Sequence, residues 1–214
     1  MLEILYFEKL DSTHKFLLKK LKEKKLHPPI MITADMQTNS IGTRGKEWIS
    51  LKGNLFLSLS IYKSELPHDL PKQSVSIYFA YILKSILENH GSKAWLKWPN
   101  DFYLHDKKIG GVLSSFVEDK VVVSFGINLK KSPENFENLD IKITKNKLIE
   151  EFILNPKQVI SWKYIFSKYQ VEFAKSKSHA TTVKLEKKSS MKDAVLLEDG
   201  SILLDGKKVY SNDE

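Results

Sequence analysis

Apolar and polar positions along the chain switch repeatedly between a period near two and a period near 3.6 residues. Leu2 to Phe7 is rich in strand formers, and Asp11-Ser12-Thr13 offers side-chain oxygens as a cap to a lysine-rich helix over roughly 14–25. His27-Pro28-Pro29 ends that helix, and Ile30 to Ala34 reads as a second strand. Residues 37–53, with Gly42, Gly45 and Gly53 among polar neighbours, read as a long loop. Leu55 to Tyr62 alternates apolar with small polar residues, the period of a half-buried strand. Gln73 to His90 carries Val75, Ile77, Phe79, Ile82, Leu83 and Ile86 at mostly helical spacings, with Gly91 at the C-cap, and should pack on the sheet.

Ala94 to Lys97 then leads into a hairpin turning near His105-Asp106, followed by strands at 108–116 and 120–127. Residues 130–143 read as a polar loop, and helices are predicted over 146–154 and 158–176. After Lys177-Ser178-His179 the pattern shortens. Segments near 181–185, 193–198, 201–204 and 207–210, with turns at Gly200 and Gly206, predict a small β module.

Composition narrows the chemistry. The 214 residues, 42% of them hydrophobic, suffice for one substantial core and a small second domain. Cysteine is absent, which excludes disulfides, thiol catalysis and thiolate metal sites. The start carries acidic residues and no basic leader, and no apolar run approaches the ~20 residues that span a bilayer, so a soluble cytoplasmic protein is expected. A net charge of +8 favours anionic partners such as nucleotides, acidic proteins or nucleic acid. Of the 34 basic residues the sole arginine is Arg44, between Gly42 and Gly45, where its planar fork suits phosphate or carboxylate.

Lys97-Trp98-Pro99-Asn100-Asp101, followed by Lys107-Lys108-Ile109-Gly110-Gly111, is the densest polar constellation. Pro99 forces Trp98 into an extended conformation, which predicts Lys97 at the carboxyl end of a strand, a place where ligands commonly sit. Asp11 to His14, Gln37 to Trp48 and Gly126-Ile127-Asn128 are further polar, turn-forming segments. Gathered on one side of a sheet, they would supply hydroxyls, amides and cations to one cavity, an inventory that fits a polar small molecule plus a nucleotide. Phosphate-loop and dinucleotide glycine motifs are missing, the six histidines form no i,i+4 pair, and no nucleophile elbow occurs. No metal ligands are therefore assigned.

In order, Asp11-Ser12-Thr13, Ala34-Asp35-Met36-Gln37, Gly42-x-Arg44-Gly45-x-x-Trp48, Asn54-Leu55, Lys97 to Asp101, Lys108 to Gly111 and Gly126 to Asn128 resemble the biotin protein ligases, over about residues 6–130. The resemblance implies an α+β fold of the class II synthetase-like kind: a mixed, mainly antiparallel sheet packed with helices. It further implies a catalytic domain over 1–178 and a small SH3-like β domain over 179–214. No winged-helix segment precedes Leu2, so no repressor activity and no nucleic-acid or membrane partner is expected.

The implied activity has two steps: biotin and ATP, with Mg2+, give biotinyl-AMP, and a lysine of a biotin carboxyl carrier domain then takes the biotin. By position, Ser12, Thr13, His14, Gln37, Ile41, Gly42, Thr43 and Gly111 would line biotin. Arg44, Trp48, Asn100, Lys108 and Asn128 would belong to the nucleotide. Lys97 would bind the carboxylate and α-phosphate, with Asp101 assisting the second step. Either a monomer or a homodimer is compatible.

Two departures carry expectations. Where the family loop usually reads Gly-Arg-Gly-Arg-x-Gly-Arg, this chain has Ser40-Ile41-Gly42-Thr43-Arg44-Gly45-Lys46, and the intermediate should escape faster without the two leading arginines. His14, where the family commonly has asparagine, should make biotin affinity depend on pH. The alternatives are a lipoate or octanoate ligase or transferase, and a degenerate, non-catalytic biotin or nucleotide binder.

Overall fold

The computed structural model describes residues 2–42, 48–154, 160–178, 182–184 and 188–210. Seven strands, β1 (Glu3–Leu10), β2 (Ile30–Gln37), β3 (Leu55–Tyr62), β4 (Trp95–Lys97), β5 (Asp101–Leu104), β6 (Lys107–Val117) and β7 (Lys120–Ile127), form one sheet in the order β1-β2-β3-β7-β6-β5-β4. Only β1 and β2 run parallel, joined by helix α1 (Thr13–Lys22); every other pairing is antiparallel. The mixed, mainly antiparallel α+β arrangement expected from the sequence is what forms.

Helices cover both faces. On one, Leu17 and Leu21 of α1 pack on Ile30, Ile32 and Val122. On the other, α2 (Val75–Asn89) and α3 (Lys145–Leu154) enclose the main core, in which Leu55, Leu57 and Leu59 meet Ile77, Phe79, Leu83 and Phe152. The alternation in β3 therefore does not mark a solvent face. Ser58 and Ser60 are fully buried on the α1 side, so the strand is covered on both faces and its polar side is an internal wall.

Helix α4 (Trp162–Ser178) lies along the outer edge of β4 and takes over its hydrogen bonds. The Leu96 N–H donates to Glu172 Oε2 at 2.8 Å, the Trp98 N–H to Ser176 Oγ at 3.2 Å, and the Tyr169 hydroxyl to the Pro99 carbonyl at 3.2 Å. Three short C-terminal strands, β10 (Val195–Leu196), β11 (Ile202–Leu204) and β12 (Lys207–Val209), form a small antiparallel sheet, and β8 (Thr182–Lys184) pairs with β9 (Lys188–Ser190). Met191, Ala194, Ile202, Leu204 and Val209 enter the main core. Gly200 accepts the Trp98 indole N–H at 2.9 Å, and Glu198 that of Trp162 at 2.8 Å, so the C-terminal strands brace the Trp98 turn. Among the described residues no helix is long and apolar enough to cross a membrane.

Candidate active site

A cleft of about 500 Å3, partly open to solvent, lies on the α1 side of the sheet. Of the residues singled out from sequence, Ser12, Thr13, His14, Gln37, Ile41, Gly42, Trp48, Asn100, Asp101, Lys108 and Gly111 line it, joined by Val112, Leu113, Ser124, Phe125 and Gly126. The loop returns to the cleft where the Trp48 N–H donates to the Ser40 carbonyl at 3.3 Å. Thr43 and Arg44 lie outside the described residues.

One end of the cleft is neutral, polar and buried. Ser12 caps α1, its hydroxyl accepting from the Lys15 N–H at 3.4 Å, so the cap reading and the lining role coexist. Gln37 Oε1 accepts both the Thr13 N–H at 2.7 Å and the Thr13 hydroxyl at 3.1 Å. Behind them Ser58 donates to Thr13 at 2.9 Å and lies 2.7 Å from Ser124. His14 bridges Ser124 (Nδ1, 2.8 Å) and Ser115 (Nε2, 2.9 Å).

Burial lowers the pKa of His14 to about 4, because water no longer stabilises the imidazolium. The ring is neutral near pH 7 and both nitrogens are occupied by protein. The expected pH dependence of affinity is therefore displaced towards pH 4, and His14 is not a free hydrogen-bonding contact for a ligand.

The other end is charged and partly exposed. Lys108 Nζ sits 2.7 Å from Asp101 Oδ1 and 5.5 Å from the centre of the Trp48 ring. A β-bulge puts it there. Phe102 pairs with Gly110 and Tyr103 with Lys108, leaving Ile109 as the extra residue. Strict alternation from cleft-lining Gly111 would aim Ile109 into the cleft and Lys108 away; the bulge exchanges them, and Ile109 is fully buried in the main core. Gly111 has no side chain where a Cβ would stand 3.1 Å from Asp101 Oδ1, so the carboxylate rests over the strand. Trp48 stands edge-on to Phe136 at 5.7 Å, and its indole N–H has no partner among the described residues.

Two expectations are corrected. Lys97 does not line the cleft. It pairs with Asp101 on β5, which pairs in turn with Gly111 on β6, so it lies one strand farther out, with its ammonium 5.4 Å from the Tyr103 ring centre. Among the described residues that line the cleft, the cation is Lys108. Asn128 is also elsewhere: wholly buried, it accepts from Asn54 Nδ2 and donates to the Glu137 carbonyl, both at 3.3 Å, bracing the loop after β7. Asn100 does line the cleft while its amide donates to the Val112 carbonyl. Sequence reasoning missed Ser58, Ser115 and Ser124, whose only sign was small polar residues recurring in apolar strands.

Residues 6–132 match the model of the biotin/lipoate A/B protein ligase family. The bifunctional ligase/repressor BirA of Bacillus subtilis is 29% identical over 139 residues, 62% of this chain and 42% of the relative. That of Escherichia coli is 31% identical over 127 residues, 56% and 38%. The chain thus spans about two fifths of the length of these curated relatives. A Helicobacter pylori biotin acetyl coenzyme A carboxylase synthetase, solved with bound biotinylated ATP, superposes with a TM-score of 0.92 at 38% identity, covering 98% of this chain and 100% of that one. The biotin protein ligase of Aquifex aeolicus, at 23% identity and a TM-score of 0.69, covering 98% of this chain and 96% of that one, shares the fold. With over half its length matched by the family model, this chain belongs to the biotin/lipoate A/B protein ligase family.

Proposed function

We propose that the chain is a biotin protein ligase, which activates biotin with ATP to biotinyl-AMP and passes the biotin to a lysine of a carrier domain in the cytoplasm. The observation that carries this reading is the pairing, within one cleft, of a buried neutral polar wall with a partly exposed lysine–carboxylate pair. The wall at Ser12, Thr13 and Gln37 suits a polar ring with N–H and C=O groups, since buried donors and acceptors must be met by the ligand. A lipoyl or octanoyl tail has no N–H or C=O to offer the hydrogen-bonding capacity that this wall does not spend within the protein. The relative from Helicobacter pylori, solved with biotinylated ATP, supports the same substrates.

In the first step a biotin carboxylate oxygen attacks the α-phosphorus and pyrophosphate leaves. Lys108, rather than Lys97, is assigned to hold the carboxylate and α-phosphate together, offsetting the negative charge gathered in the transition state. Trp48 and Asn100 are assigned to the nucleotide side.

In the second step the carrier amine attacks the acyl carbon and AMP leaves. A free lysine amine is only about one part in a thousand neutral at pH 7.4, and Asp101 is assigned to accept its proton. Asp101→Asn should slow transfer from preformed adenylate about 10²-fold; unchanged transfer would remove that role.

Among the described residues no three histidine, aspartate or glutamate side chains gather as a metal site, and Asp101 is engaged by Lys108. These residues do not fit a resident magnesium ion. No step is assigned to Mg2+ beyond its ordinary company with ATP phosphates.

The test is pyrophosphate exchange with biotin against lipoate, followed by labelling of a carrier domain. Exchange should require biotin; exchange with lipoate alone, or none, would overturn the reading. Ile41 lends the cleft an apolar side chain where the family usually has a cation, so biotinyl-AMP should dissociate faster than from arginine-bearing relatives, as measured by chasing the labelled intermediate.

A further inference from the structure

We propose that His14 is a positioning residue for the headgroup end of the cleft, held in one tautomer with its proton on Nδ1 and acting on Thr13 through Ser124 and Ser58. The order of protons follows from one backbone group. The Thr13 N–H can only donate, so the Gln37 atom 2.7 Å away is the amide oxygen. That oxygen also receives the Thr13 hydroxyl, which spends the single proton of Thr13. Ser58, 2.9 Å from Thr13, must then donate to it, which spends the proton of Ser58. Ser124, 2.7 Å from Ser58, must donate in turn.

Nδ1 of His14 therefore faces a lone pair of Ser124 at 2.8 Å and must carry a hydrogen. A neutral imidazole has one such hydrogen, so Nε2 is bare and accepts from Ser115 at 2.9 Å. The other tautomer would set two lone pairs against each other among residues that are less than a tenth exposed.

The wire joins the first turn of α1 to β3, β7 and β6 and points every proton towards Gln37. It leaves Thr13 with an oxygen lone pair as its remaining group, which an N–H of a cyclic urea can meet. The inference rests on the biotin reading for its ligand, but not for its tautomer.

The tautomer is read in the ligand-free full chain by long-range 1H–15N correlation of the histidine rings at neutral pH. Protonated Nδ1 with bare Nε2 is expected, and protonated Nε2 would overturn the proposal. The positioning role is read from the Kd for biotin of folded variants, checked by thermal midpoint.

Asparagine places an amide N–H near the position of Nδ1, whereas glutamine reaches towards that of Nε2. His14→Asn should bind within about threefold of wild type, while His14→Gln and His14→Leu should lose about tenfold or more. A role in packing alone predicts the reverse order, since glutamine and leucine match histidine in size better than asparagine does. If wild type binds biotin and glutamine or leucine serves as well as asparagine, the positioning role falls. If wild type binds no biotin, the function proposed above falls, and the nitrogen spectra alone decide the tautomer.

Discussion

The two ends of the cleft are built on opposite terms. At the α1 end, Thr13, Ser58, Ser124 and His14 are buried and their polar atoms are matched within the protein. At the β5–β6 end, Asp101 and Lys108 are about a quarter exposed, and the Trp48 indole N–H is unmatched. A neutral polar ring is recognised only by groups fixed beforehand, because each buried mismatch costs about 1–3 kcal/mol. On the proposed function, charged phosphates would arrive at the other end with large fields of their own and leave as products, which partly exposed, adjustable side chains permit.

The sharpest way to break this contrast is at the charged end. Lys108→Ala should lower the rate of biotin-dependent pyrophosphate exchange 10²–10³-fold, about 3–4 kcal/mol of barrier, with little change in melting temperature. Lys97→Ala should stay within about threefold. Loss at Lys97 with none at Lys108 would reverse the assignment.

The buried end is probed by acid. The folded pKa of His14, about 4, lies below the unfolded value of 6.5, so between these pH values the unfolded chain binds a proton that the folded chain refuses. Stability is therefore full above pH 6.5 and is lost as pH falls towards 4, by about 3 kcal/mol from this residue. Urea denaturation at pH 7 and pH 4 should show that loss in wild type and a smaller one in His14→Asn; equal losses would count against a neutral, desolvated ring.

The adjacent glycines separate packing from site. A Cβ on Gly110 would stand 2.6 Å from the Gly126 carbonyl oxygen and 2.4 Å from Ile127 Cδ1, so Gly110→Ala should cost about 1–3 kcal/mol of stability. On Gly111 it would press on Asp101 at 3.1 Å. That variant should keep its stability within about 0.5 kcal/mol while adenylate formation slows about tenfold. Equal melting curves for the two would erase the distinction.

Much of this was legible from residue order. Strands, helices and the residues gathered around the cleft follow from periodicity and from a resemblance carried by short polar motifs. Three things were not legible, each for a physical reason. Lys97 looked like the cation for carboxylate and α-phosphate because it ends a strand just before the Trp98-Pro99 turn, while Lys108 was placed with the nucleotide; the extra residue at Ile109, which turns Lys108 towards Asp101, is marked by no propensity. The serines of β3 looked like the open side of a half-buried strand, because a two-residue period does not say whether a helix covers the polar side. Asn128 looked like a ligand contact because a buried amide that braces a loop and one that meets a nucleotide present the same letter.

The helix beside β4 has a consequence for how this chain tolerates change. Tyr169, Glu172 and Ser176 recur at intervals of three and four, so all three face the strand and stand in for the hydrogen bonds of a missing neighbour. Substitutions on the outer face, where Tyr164 and Val171 are exposed, leave that alignment intact. An insertion or deletion of one residue between Tyr169 and Ser176 would turn the contacts on one side of it by about 100° and uncover part of the strand edge. Length variation among relatives should therefore fall in the connections before and after this helix, while its middle keeps a constant count of residues.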